Sequence, residues 1–76
     1  MVTAYILVKT HTGDADRMRN AIAGIDGVVD VSIVAGDVDI IAKVEVETPG
    51  DVKSIAADGI HGIDGVETTQ TYVSMD

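Results

Sequence analysis

The chain has 76 residues, with 13 Asp and Glu against five Lys and Arg, a formal net charge of −8 and a pI near 4.3. That length holds one domain with a small core, and that charge repels phosphate backbones, which argues against direct nucleic-acid binding. Cysteine, Phe and Trp are absent, which excludes disulfides and thiolate chemistry and leaves Tyr5 and Tyr72 as the only rings able to stack on a base or sugar.

Residues 3–10, Thr-Ala-Tyr-Ile-Leu-Val-Lys-Thr, are rich in β-branched and large apolar side chains and predict a strand. Residues 14–24 place Ala15, Met18, Ile22 and then Ile25 at helical spacing, with Asp14 and Asp16 in the first turn and Gly24 and Gly27 as stops. Val28–Val34 is a second strand and 35–37 a turn. Residues 38–47 are read as the longest strand, alternating toward its end. Thr48, Pro49 and Asp51 make a helix start, with Thr48 as N-cap and Pro49 at the first helical position. Val52, Ile55, Ala56 and Ile60 follow as an apolar stripe, and 66–75 is the last strand.

The pentapeptide Gly-Ile-Asp-Gly-Val occurs at 24–28 and again at 62–66, an offset of 38 residues. The same offset aligns Ala4 with Ala42, Val8 with Val46, Thr10 with Thr48 and Ile22 with Ile60. The order is therefore β-α-β-β-α-β, built from two copies of one plan. Two βαβ units with right-handed crossovers give an α+β, ferredoxin-like sandwich, one domain over residues 1–76. In that fold the pentapeptide has a structural role. Ile25 and Ile63 cover the helix ends, the second Gly permits a tight turn, and Val28 and Val66 begin strands.

Alternation along the strands leaves one sheet face without a helix. Tyr5, Leu7, Val34, Ile41 and Val73 are expected to form an apolar patch there, and such a patch marks an interface. A homodimer with sheets packed face to face is the expectation.

Catalytic and metal chemistry is not indicated. His11 and His61 lie outside any ligand pattern and are read as solvated surface residues. Ser32, Ser54 and Ser74 lack the context of a nucleophile elbow, and no phosphate-binding glycine motif is present. Asp37 and Asp39 offer two carboxylates in a turn, too few for a metal cage. No enzyme activity, cofactor or metal is expected. No apolar run approaches the roughly 18–20 residues that span a bilayer, and no signal peptide opens the chain, so a cytoplasmic location without membrane contact is expected. The acids are scattered, which fits a solvated surface of the halophilic kind better than one acidic site.

The first strand 4–10, the glycine–valine pairs, the hairpin 36–45 and the segment 65–73 together resemble the effector-binding (RAM) domain of the Lrp/AsnC transcriptional regulators, over essentially the whole chain. The resemblance implies a ferredoxin-like fold that dimerises into an α/β barrel. It also implies rings, commonly octamers, with amino-acid effectors bound between dimers. Regulators of this family usually carry an N-terminal helix-turn-helix; a chain beginning at the first strand resembles a stand-alone effector domain, able to co-assemble with full-length regulators. The family's G-x-Y/F-D hairpin corresponds to Gly36, Asp37, Val38 and Asp39, and its V-x-x-T-x-T pattern to Val66, Thr69 and Thr71. By that correspondence Gly36 lets backbone approach an effector, Asp37 or Asp39 meets its ammonium, and Thr69 and Thr71 donate hydroxyls. Val38 departs from the family's aromatic.

Other readings of the residues are a ligand-free assembly protein of the same fold, a dimeric α/β-barrel enzyme such as a cofactor-free monooxygenase, and an ACT-like regulatory domain with sheets side by side. Val38 favours the first of these. The enzyme requires a buried acid or base that neither His supplies.

Overall fold

The computed structural model describes residues 1–11 and 13–76. Four strands, β1 (Val2–Thr10), β2 (Val28–Ile33), β3 (Ile40–Val46) and β4 (Val66–Val73), form one antiparallel sheet in the order β2-β3-β1-β4. Helix α1 (Ala15–Ala23) links β1 to β2, and α2 (Pro49–Ser54) runs directly into a π-helical segment, Ile55–Ile60, before β4. The element order and ferredoxin-like topology are those expected from the doubled sequence.

One core joins the sheet to both helices. Ala4, Ile6 and Val8 from β1 and Ile40, Ala42 and Val44 from β3 are fully buried, as period-two alternation requires. Met18 and Ile22, four residues apart on α1, meet Val52, Ile55 and Ile60 over that layer. The two central strands thus supply one wall and the helices the other.

The repeated pentapeptide makes the same joint twice. Ile25 N donates to Ile22 O at 3.0 Å and Val28 N to Ile25 O at 3.1 Å; in the second copy Ile63 N donates to Ile60 O at 3.0 Å and Val66 N to Ile63 O at 3.2 Å. Gly27 and Gly65 have φ of 99° and 104°, a conformation that side chains oppose. Each copy is a tight turn with glycine at its third position.

Some boundaries differ from the expectation. β3 begins at Ile40, not residue 38, and β1 is the longest strand. Asp39, just before β3, donates its N–H to Val8 O at 3.0 Å, and its carboxylate accepts the Thr10 N–H at 2.9 Å. β4 ends at Val73 rather than 75. The second helix widens to π geometry, where His61 N donates to Ala56 O at 3.0 Å, five residues back. Its start is as expected: Thr48 Oγ1 accepts from Asp51 N at 3.2 Å and Pro49 opens the helix.

Candidate functional site

β4 is an edge strand, and its register with β1 decides what it presents. Thr69 pairs with Val8, Thr71 with Ile6 and Val73 with Ala4, so these three residues share the helix-covered face with the buried partners of β1. Between them and the second helix lies a groove of about 370 Å³. Val52, Ala56, Ala57 and Val73 give it apolar walls, while Thr69 and Thr71 bring hydroxyls, Lys53 an ammonium and His61 an imidazole. Among the described residues, no Asp or Glu lines it.

Composition alone does not single out Lys53 or His61. Lys53, Ala57 and His61 are spaced four apart and fall on one helical flank, a pattern the sequence contains; His61 follows directly on the π-helical segment and lines the groove with the other two. Neither side chain has a hydrogen-bond or ion-pair partner among the described residues.

The other expected site residues lie elsewhere. Gly36, Asp37 and Val38 are in the β2–β3 hairpin loop, and none of them lines the groove of Thr69 and Thr71. Within one chain the two halves of the expected site are separated by β1, whose Val8 and Lys9 pair with Thr69 and Thr68 on one side while Val8 O accepts from Asp39 N on the other. Asp39 is committed to Thr10, receiving its N–H at 2.9 Å and its hydroxyl at 3.3 Å. The Lys9 ammonium donates to the Asp37 carbonyl at 3.3 Å. Gly36 has no positive φ, and a Cβ added there would meet nothing within 4 Å, so the hairpin itself does not require glycine at this position.

The uncovered face of the sheet carries Tyr5, Leu7 and Ile41, as alternation predicts: Tyr5 pairs with Lys43 and Leu7 with Ile41. Val73 is a correction. Its pairing with Ala4 places it on the helix side, and Tyr72, opposite Tyr5, takes its place on the open face at 57% exposure. Alternation fixes only relative parity within a strand; which parity faces the helices is set by the register against β1. Val34 lies one residue past β2, half-buried, donating its N–H to Asp39 O at 2.9 Å.

The family model of the Lrp/AsnC ligand binding domain matches residues 3–76. The chain belongs to this family. An uncharacterized HTH-type transcriptional regulator of Pyrococcus abyssi is 36% identical over 77 residues, covering 97% of the chain and 51% of that relative. The chain therefore spans about half the length of the curated relative it matches. A Thermus thermophilus protein of known structure, TTHA0845, superposes with a TM-score of 0.94 at 28% identity, over 100% of this chain and 95% of the other. A Neisseria meningitidis transcriptional regulator, solved with L-methionine, shares the fold at a TM-score of 0.84 and 14% identity, over 99% of this chain and 50% of its own. This Lrp/AsnC domain is thus of a regulatory ligand-binding kind rather than an enzyme family. No helix among the described residues is long and apolar enough to cross a membrane.

Proposed function

We propose that the chain is an effector-sensing module, binding an amino acid or related small metabolite and modulating transcriptional regulators through oligomerisation. The observation that carries this reading is the ligand-sized groove beside Thr69 and Thr71, in a chain whose family is defined by ligand binding. The Neisseria relative's methionine sets the kind of molecule to try first.

The open sheet face supports the assembly part. Tyr5, Leu7, Ile41 and Tyr72 lie on it without a helix above them, and packing two such faces together buries the patch in a homodimer. Gly36 supports a second contact, between dimers: its glycine answers no demand of its own chain, as expected where another backbone or an effector approaches closely. In that arrangement the hairpin Gly36–Asp39 of one dimer completes the groove of the next, and rings or mixed assemblies with full-length regulators follow from the same surfaces. Direct nucleic-acid contact is no part of this role, given the net charge of −8.

Calorimetry with the amino acids, together with light scattering with and without each ligand, tests the reading. The expected result is saturable heat from at least one compound and a change in assembly size that Gly36→Ala weakens without lowering the melting temperature. Heat from none of them, with Gly36→Ala indistinguishable from the parent, would leave only the alternative that Val38 favours, a ligand-free assembly protein. Leu7→Asp is expected to yield monomers; a persisting dimer would move the interface off the open sheet face.

A further inference from the structure

The charge of the groove narrows what it can hold. The chain carries 13 carboxylate side chains and five Lys or Arg, yet among the described residues the groove under the second helix receives Lys53 and His61 and no acid. Other cations of the chain are engaged: Arg17 with Asp14 at 2.9 Å, Lys43 with Glu45 at 3.7 Å, and Lys9 with the Asp37 carbonyl at 3.3 Å. Lys53 and His61 have no such partner among the described residues. On the opposite flank of the same helix, a second groove collects Asp26, Glu45, Glu47 and Asp51. The helix thus separates an acidic groove from one that is cationic.

We infer that the cationic groove takes a small aliphatic carboxylate without an ammonium group, a 2-oxo acid of the size of a common amino acid. This rests on the effector-sensing reading and names its ligand class. The carboxylate lies against Lys53 and His61, where a charge-assisted hydrogen bond forms. Thr69 and Thr71 donate to the 2-oxo oxygen, and the alkyl chain covers Val52 and Val73. An amino acid of the same skeleton brings an ammonium that meets the Lys53 ammonium and, among the described residues, no carboxylate in the groove. Within the chain Asp37 and Asp39 stand outside the groove, and the Asp39 carboxylate already receives the Thr10 N–H.

The test is a titration of the isotope-labelled chain, followed by amide chemical shifts, with 4-methyl-2-oxopentanoate and 3-methyl-2-oxobutanoate, each against the amino acid of the same skeleton. The expected result is saturable shifts around Val52–His61 and Thr69–Val73, with the oxo acid about tenfold tighter than its amino acid, the factor that one charged hydrogen bond contributes. Lys53→Met is expected to remove about that factor, and His61→Ala a smaller one. Both positions are exposed, so the spectra of the variants should otherwise overlay the parent's. Equal or tighter binding of the amino acid overturns the inference and leaves the effector reading standing. Oxo-acid binding that Lys53→Met does not weaken overturns the placement. Absence of binding by either class overturns both.

Discussion

Each half of the chain ends in a groove between its helix and the edge strand that follows. The first, of about 310 Å³, lies between α1 and β2, and the second, of about 370 Å³, between the second helix and β4. The 38-residue offset aligns their linings. Arg19 falls on Ala57, Ala23 on His61, Asp30 on Thr68 and Val31 on Thr69. The first groove is lined by a cation, Arg19, and an acid, Asp30; the polar groups described in the second are Lys53, His61, Thr69 and Thr71. The joints between these elements use the same hydrogen bonds in both halves. The two halves share the scaffold and differ at their edges, and the proposed site lies where the copies differ.

The helices differ in the same sense. α1 is a nine-residue α-helix, whereas the second runs six residues as α and six more as π. Met18 fills the core in the first half; its aligned partner in the second is Ala56, only half-buried, with Ile55 beside it in the core. Truncating Met18 to Ala should therefore have the largest effect, a loss of about 2–5 kcal/mol in a urea melt at fixed protein concentration. Ala56→Gly, at the aligned position, removes far less packing, and a comparable loss there would mean that the halves share the core more evenly than their burial indicates.

The pentapeptide can be broken at either glycine. Gly27→Ala forces an L side chain to φ 99° and places its Cβ 2.8 Å from Ile55 Cδ1, and a loss of about 1–3 kcal/mol is expected. Gly24 has φ −80° and its nearest neighbour would be 3.6 Å away, so Gly24→Ala should be close to neutral in the same melt. If both cost the same, the joint is not held by the backbone conformation of the second glycine.

Smaller effects separate the helix starts and the tie between halves. Thr48 caps the second helix, while the Asp14 side chain makes no capping bond to α1. Thr48→Ala should cost about 1 kcal/mol, read as a lower midpoint without a change in slope. Arg17, held by Asp14 in its own half, links the halves through the Asp64 carbonyl at 3.2 Å. It is exposed, so Arg17→Met should shift stability by at most about 1 kcal/mol, and less in high salt.

Much of the fold was legible because the repeat, the alternation of β1 and the Thr-Pro-Gly-Asp helix start are local signals that all agree. The site was legible only in part. Thr69 and Thr71 line a groove as a pair, but Gly36–Asp39 lies two strands away within the chain, and His61 reads in sequence as a solvated surface residue with no role. The hairpin also reads differently in three dimensions. Asp37 and Asp39 look alike in sequence, yet only Asp39 folds its carboxylate back onto β1.

The sequence by itself determined the doubled βαβ plan, the two glycine turns, the buried faces of β1 and β3 and the strongly acidic surface, since each depends on near neighbours or on composition. The tertiary structure decided the parity of β4, and with it the exchange of Val73 for Tyr72 on the open face, because register is a relation between strands distant in the chain. It also decided that Lys53 and His61 share one groove that no Asp or Glu lines among the described residues. That follows from the seating of the helix against an edge strand, a relation between segments that neither contains alone.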